Sequence, residues 1–206
     1  FWPLGAIFRR GGAYFIRRKF RENKAYRFVL EAYLRSLIKA GYSQEFLIEG
    51  ARSRSGKLMS PRMGMISMLL SAAENTQTNN LSFVSVAINY DQVIEQKSHL
   101  QESKGAAKQS ETRSDLFRLS KLLKPRQQSF GSIHINFGPA LAAKDYHGKT
   151  SERTAQLAND LCHQINRKSV ITPATITATA LLSFYKPGIP KEKLQSRAKL
   201  FLDYLY

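Results

Sequence analysis

Residues 47–57 read Leu-Ile-Glu-Gly-Ala-Arg-Ser-Arg-Ser-Gly-Lys. Arg52 and Arg54 alternate with the hydroxyls of Ser53 and Ser55 between Gly50 and Gly56, and Lys57 follows. Guanidinium forks recognise phosphate by paired hydrogen bonds, and glycines let backbone N–H groups come close. A solvated basic turn has the same composition, so the loop alone leaves both readings open. A second basic cluster lies upstream, where Gly11-Gly12-Ala13-Tyr14-Phe15-Ile16 runs into Arg17-Arg18 and Arg9-Arg10 precedes it. Its plainer reading is a basic, solvated hairpin edge.

Other chemistry-bearing residues are sparse. The four histidines are His99, His134, His147 and His163, and five positions on stand Lys104, Pro139, Glu152 and Lys168. None therefore heads a His-x4-Asp pair. His134 alternates with Ile133 and Ile135, which places it on a solvent face opposite a core. Cys162 is the single cysteine and sits in an apolar helical pattern, as a core thiol would. No His/Cys/Asp cluster has metal-ligand spacing, and neither a metal nor a bound cofactor is expected.

These residues need elements to hold them. Phe46-Leu47-Ile48 reads as a buried strand ending at Glu49-Gly50, with the basic loop at its C-terminal end, where α/β folds place ligands. Residues 13–16 read as a short strand or strand-like turn. Between them, Tyr26, Val29, Leu30, Tyr33, Leu34, Leu37 and Ile38 recur at helical spacing and predict a helix over 24–40 whose stripe is core, stopped at Gly41. The order strand, helix, strand, loop is βαβ-like. A helix over 61–74 follows, opened by Pro61. Strands follow over 81–90, much of it buried, and 133–138. Residues 91–114 are polar and charged and read as a weak helix or a mobile insertion, and 115–123 read as helical. Three helices are expected over 151–168, 172–184 and 190–205. The fold class is α/β, a mixed sheet flanked by helices, followed by a helical C-terminal segment.

The chain has 206 residues, enough for a full core. It carries 32 Lys+Arg against 15 Asp+Glu, a net charge of +17. That field calls for a polyanionic partner: nucleic acid, an anionic membrane surface or phosphorylated substrates. The basic residues cluster in loops after apolar segments rather than among aromatic platforms or along a recognition helix, which disfavours nucleic acid. Salt-dependent binding to DNA would not discriminate, since any basic patch shows it. The longest uncharged run, Ser169 to Tyr185, has 17 residues with Pro173 and several threonines, short of the roughly 20 apolar residues of a span. The chain opens at Phe1 in mid-pattern and reads as a fragment.

Three blocks now stand in order: 11–18, 46–57 and the apolar strand 83–90. Together they resemble the glycerol-phosphate acyltransferase family. The likeness is strongest to the bacterial membrane-bound glycerol-3-phosphate 1-O-acyltransferase and its relatives acting on dihydroxyacetone phosphate. Gly12, Phe15, Ile16, Arg17 and Arg18 match the family's Gly-x-x-Phe-Ile-Arg-Arg block. Glu49, Gly50, Arg52, Ser53 and Arg54 match its Phe-x-Glu-Gly-x-Arg-Ser-Arg block. Ala51 stands where many members have Thr or Gly. Val84, Val86 and Ile88 fit the apolar fourth block, with Ser85 where a proline is common.

The resemblance implies transfer of a fatty acyl group from acyl-CoA or acyl-carrier protein, a co-substrate rather than a cofactor, to the 1-hydroxyl of glycerol 3-phosphate. The product, lysophosphatidate, begins phospholipid synthesis. Dihydroxyacetone phosphate as acceptor and a non-catalytic scaffold are the alternatives. The family's general base, a His-x4-Asp histidine, is expected upstream of Phe1, so no catalytic residue is expected in 1–206. Residues 1–145 would be the C-terminal part of the catalytic domain, and 146–206 a helical segment. Arg18, Arg52 and Arg54 would hold the substrate phosphate, with Arg17 and Lys57 behind them. Ser53 would donate to the phosphate or cap the following turn. Glu49 would orient Arg52 or Arg54, or bond a substrate hydroxyl. Gly12, Phe15, Ile16 and Gly50 would shape the site, and Val84, Val86 and Ile88 would lie on the acyl side. The expected location is the cytoplasmic face of the bacterial inner membrane, bound peripherally.

Overall fold

The computed structural model describes residues 4–17, 23–50, 57–75, 81–91, 131–185 and 188–205. Among them the chain is α/β: six helices, a two-stranded sheet and a helical C-terminal part. The helices are α1 (Leu4–Arg10), α2 (Lys24–Lys39), α3 (Met63–Asn75), α4 (Thr150–Lys168), α5 (Pro173–Leu182) and α6 (Lys191–Leu205). The strands are β1 (Ser82–Tyr90) and β2 (Ile133–Ala142). The helical readings over 115–123 and part of the polar insertion lie outside the described residues.

The chain divides into two compact units. The first comprises Phe1–Phe46, Arg62–Leu81 and Ala142–Gln156. Here α2 packs on α3. Asn23 caps α2, its side-chain oxygen accepting from the Tyr26 N–H at 2.9 Å. Only Leu30, Leu34 and Ile38 of its apolar stripe are buried; Tyr26 and Leu37 are half-buried, and Val29 and Tyr33 are open. The stripe expected to be all core is thus core along one edge, because a helix covered on one side buries only a limited arc. In α3, Ile66, Met68, Leu69, Leu70, Ala72 and Ala73 are all buried. Arg153, buried early in α4, pairs through Nη1 with Glu74 at the end of α3. Its charge is carried out of water with a carboxylate beside it, as buried guanidinium groups require.

The second unit comprises Leu47–Pro61, Ser82–Leu141 and Leu157–Tyr206. The strands run antiparallel: the Asp91 N–H donates to the Ser132 carbonyl at 3.1 Å. Beyond the other end of the ladder, within the first unit, the Ala143 N–H donates to the Leu81 carbonyl at 2.8 Å. Phe83, Ser85 and Ala87 are buried, while Val84, Val86 and Ile88 alternate with them and stay open. On β2 the apolar Ile133, Ile135 and Phe137 are the exposed set, at 60%, 53% and 64%. His134, expected on the solvent face, instead shares the inner face with Asn136 and Gly138 and is half-buried. Its Nε2 lies 3.5 Å from Asp91 Oδ1. Side-chain period two fixes this: once Ser85 points inward, the valines must point out. The expectation that most of β1 is buried therefore holds for one face only.

Thr172 caps α5 by accepting from the Thr175 N–H at 3.2 Å, with Pro173 in the first turn. α5 packs against α6, and Arg197 lies 5.3 Å from the centre of the Phe184 ring. No helix among the described residues is long and apolar enough to cross a membrane.

One expected strand is not formed. Residues 42–47 are irregular, and 48–49 turn, with the Gly50 N–H donating to the Leu47 carbonyl at 3.0 Å. Leu47 is 76% exposed and only Ile48 is buried. A three-residue apolar run closed by a turn has no ladder partner here, so the βαβ-like unit is absent from the described residues. Residues 13–17 are likewise irregular rather than strand.

Candidate functional site

The first motif block begins where α1 ends. Gly12 adopts φ +87°, and the N–H groups of Gly12 and Ala13 donate to the carbonyls of Arg9 (3.1 Å) and Phe8 (2.9 Å). This is a Schellman closure, and it demands a residue without a Cβ at position 12. Gly12 therefore reverses the chain out of α1 and sends 13–17 back along α2.

Three aromatic contacts fix that returning segment within the first unit. Tyr14 meets Tyr33 edge-on at 5.4 Å and 77°. Arg9 lies 5.8 Å from the centre of the Phe15 ring. Arg17 lies 5.4 Å from the centre of the Tyr26 ring, and its backbone N–H donates to Tyr26 Oη at 3.1 Å. Such cation–π contacts hold a guanidinium without neutralising it. The result is an open groove of about 410 Å³ lined by Arg9, Gly12, Ala13, Tyr14, Phe15 and Tyr33. Burial, and then the neighbouring Tyr33, raise the Tyr14 phenol above its usual range. It stays protonated and able to donate a hydrogen bond. Ile16 is half-buried and Arg17 exposed; Arg18 lies outside the described residues.

Sequence reading missed Arg9, Tyr14 and Tyr33 as groove residues. Tyr33 was absorbed into the core stripe of α2. Its exposure of 45% is the signal that separates it from that stripe, and it becomes visible only when the returning segment is placed.

The second block belongs to the second unit. Ile48 is buried, Glu49 half-buried, and Gly50 adopts φ +63°. Glu49 Oε2 is enclosed and has no hydrogen-bond partner among the described residues. An enclosed carboxylate oxygen carries a substantial cost unless a donor reaches it. Glu49 also bears on Cys162 of α4: burial first, and then the Glu49 carboxylate, push that thiol up. Lys57 is exposed. Arg52, Ser53 and Arg54 lie outside the described residues.

Of the third block, Val84, Val86 and Ile88 share one exposed face of β1 at 49%, 39% and 49%. In the antiparallel register this is also the face of Ile133, Ile135 and Phe137. The sheet thus shows a branched, apolar surface on one side and a polar one on the other. Among the described residues no group of three His, Cys, Asp or Glu side chains is placed to hold a metal ion.

Comparison with known proteins supplies the family. A model of the glycerol-3-phosphate acyltransferase C-terminal region matches residues 99–206, and an acyltransferase model matches residues 1–89. The chain belongs to the glycerol-3-phosphate acyltransferase family. A glycerol-3-phosphate acyltransferase of Pasteurella multocida is 35% identical to it over all of this chain and 27% of the relative. One from Histophilus somni is 34% identical over all of this chain and 27% of the relative. One from Pseudomonas aeruginosa is 32% identical over 98% of this chain and 26% of the relative. The chain thus spans about a quarter of the length of these acyltransferases.

Proposed function

We propose that the protein transfers a fatty acyl group from acyl-CoA or acyl-carrier protein to the 1-hydroxyl of glycerol 3-phosphate. The observation that carries this is membership of the glycerol-3-phosphate acyltransferase family by a chain that keeps both basic motif blocks, Gly12–Arg18 and Glu49–Arg54. In this reading residues 1–145 belong to the catalytic domain and 146–206 form a helical segment.

The substrate is small and flexible, so its reacting hydroxyl is placed by anchoring the phosphate at its other end. Arg18, Arg52 and Arg54 form the anchor, with Arg17, Ser53 and Lys57 behind them. The way Tyr26 holds Arg17 supports this, because a guanidinium kept by an aromatic face retains its charge for a ligand. The enclosed oxygen of Glu49, without a partner among the described residues, supports the carboxylate as the group that orients Arg52 or Arg54. Carboxylate and phosphate repel each other, so Glu49 orients the arginines or accepts from a substrate hydroxyl rather than touching the phosphate. The base is the histidine of the family's His-x4-Asp pair, outside these residues. It takes the hydroxyl proton, the oxygen attacks the thioester carbonyl, and the C–S bond breaks to release the thiol. The open face of Val84, Val86 and Ile88 suits the apolar acyl chain.

The net charge of +17 supports peripheral attachment to the anionic cytoplasmic face of the bacterial inner membrane. The test is acyl transfer by the full-length protein from palmitoyl-CoA, with glycerol 3-phosphate and dihydroxyacetone phosphate in parallel. The expected result is a higher kcat/KM for glycerol 3-phosphate. A preference for dihydroxyacetone phosphate contradicts the choice of acceptor. No transfer to either from any acyl-CoA or acyl-carrier protein donor contradicts the reading.

A further inference from the structure

A second groove, of about 430 Å³, opens in the second unit between α4 and β2. Asp160, His163, Gln164, Arg167 and Lys168 line its helix side, at positions that share one face of α4, and Pro139 and Leu141 line its strand side. None of these residues belongs to the motif blocks. We infer that this groove is a binding site for a phosphorylated ligand, with the phosphoryl group held at its Arg167–Lys168 end.

The floor is built and fixed. The Ser85 hydroxyl donates to Gln164 Oε1 at 2.9 Å, and the Asn136 amide donates to the Lys168 carbonyl at 2.9 Å. With its carbonyl engaged by Ser85, Gln164 keeps the NH₂ as its donor group. The Asn136 bond also satisfies one carbonyl at the C-terminus of α4, where the helix is partially negative.

Charge sets the direction. Asp160 and the Arg167–Lys168 pair lie two turns apart along α4, about 10 Å at 1.5 Å per residue. An anion is attracted at the Arg167–Lys168 end, where a guanidinium fork and an ammonium on a flexible stem adjoin. That combination suits the several oxygens of a phosphoryl group. The groove exceeds one phosphate and falls within the usual range for small organic ligands, so the phosphoryl group comes attached to a larger body. Pro139 and Leu141 give that body an apolar wall. Such a ligand is either a soluble phosphorylated molecule of nucleotide size or the headgroup of an anionic lipid.

The site does not rest on the glycerol 3-phosphate reading, and its test reads binding rather than turnover. Coenzyme A is titrated calorimetrically into the full-length protein. In parallel, the protein is co-sedimented with vesicles of phosphatidylglycerol in phosphatidylcholine. Each is repeated with Arg167→Ala/Lys168→Ala and with Lys191→Ala/Lys193→Ala, which removes equal charge from α6. All four side chains are exposed, so the fold is retained. The expected result is saturable binding of at least one probe, weakened about tenfold or more in the α4 variant and less than about twofold in the α6 variant. Loss for coenzyme A identifies a soluble ligand, and loss for vesicles a lipid headgroup. Equal weakening in both variants, no weakening in the α4 variant, or no binding of either probe overturns the site.

Discussion

The Ser85 hydroxyl donates a hydrogen bond to Gln164 Oε1 at 2.9 Å, tying the middle of β1 to the fourth turn of α4. Ser85 is the position where the related motif commonly carries proline. A proline there has no hydroxyl to give and no N–H for a ladder. In this chain the serine is buried at 4% exposure, and Gln164 supplies the partner that makes its burial tolerable. Gly138 of β2 completes the arrangement. A Cβ at 138 would sit 2.2 Å from Ser85 Oγ and 2.6 Å from Gln164 Oε1.

Gly138→Ala should therefore break this bond by steric displacement, and Ser85→Ala by deletion. Leaving a part-buried amide oxygen without its donor costs about 1–3 kcal/mol. Overpacking adds a cost of similar size. Denaturant unfolding should show both variants destabilised, Gly138→Ala the more so. Ser85→Ala combined with Gln164→Leu should recover part of the loss, because no polar group is then stranded. Full stability in Gly138→Ala would contradict the close approach of β2 to α4.

Arg17 and Tyr26 give a second test. Tyr26→Phe keeps the ring beneath the guanidinium and removes the acceptor for the Arg17 N–H. A neutral hydrogen bond contributes roughly 0.5–1.5 kcal/mol, so KM for glycerol 3-phosphate should rise by about 2- to 10-fold with kcat little changed. Tyr26→Ala removes the ring as well and should cost more. Equal effects from the two variants would mean that the ring contact does not hold Arg17.

Much of this architecture was legible beforehand, and the reason differs by element. Helices α2, α3, α4, α5 and α6 announce themselves through 3.6-residue spacing and their caps and breakers. β1 and β2 were legible as strands from their branched residues. Which face would be buried was not, because Val84 and Ile135 look like core residues whereas Ser85 and Asn136 look like surface. Burial there is decided by hydrogen bonds to Gln164 Oε1 and to the Lys168 carbonyl, partners 79 and 32 residues away. The segment 46–48 failed as a strand because three apolar residues specify no ladder. Helix α1 was missed because residues 4–10 carry no clear helical period and Gly11-Gly12 read as part of a basic hairpin edge rather than as the end of a helix. The motif arginines were legible only through resemblance. Spacing alone did not separate a phosphate cradle from a basic turn.

Glu49 and Cys162 are coupled through charge, and this sets a pH dependence. Burial is the larger cause of the raised thiol and the Glu49 carboxylate the smaller. Glu49→Gln should therefore lower the Cys162 pKa only part of the way. The rate of iodoacetamide alkylation against pH should show a midpoint above the ordinary thiol range in the parent and a lower one in Glu49→Gln. The raised value also has a sign for stability. Its contribution is fully present below the unfolded thiol pKa and is lost as pH rises through the folded value. A midpoint unmoved by Glu49→Gln would separate the two residues.

The Arg52–Arg54 block is the proposed anchor for the phosphate of glycerol 3-phosphate. Its most direct measurement is steady-state acyl transfer from palmitoyl-CoA by the full-length protein and by Arg54→Ala. A charge-assisted hydrogen bond is worth roughly 1.5–3 kcal/mol, which corresponds to about a 10- to 100-fold loss in kcat/KM. This loss should fall mainly on KM for glycerol 3-phosphate, with KM for palmitoyl-CoA nearly unchanged. Parent-like kinetics in Arg54→Ala, or a loss confined to palmitoyl-CoA, would contradict it.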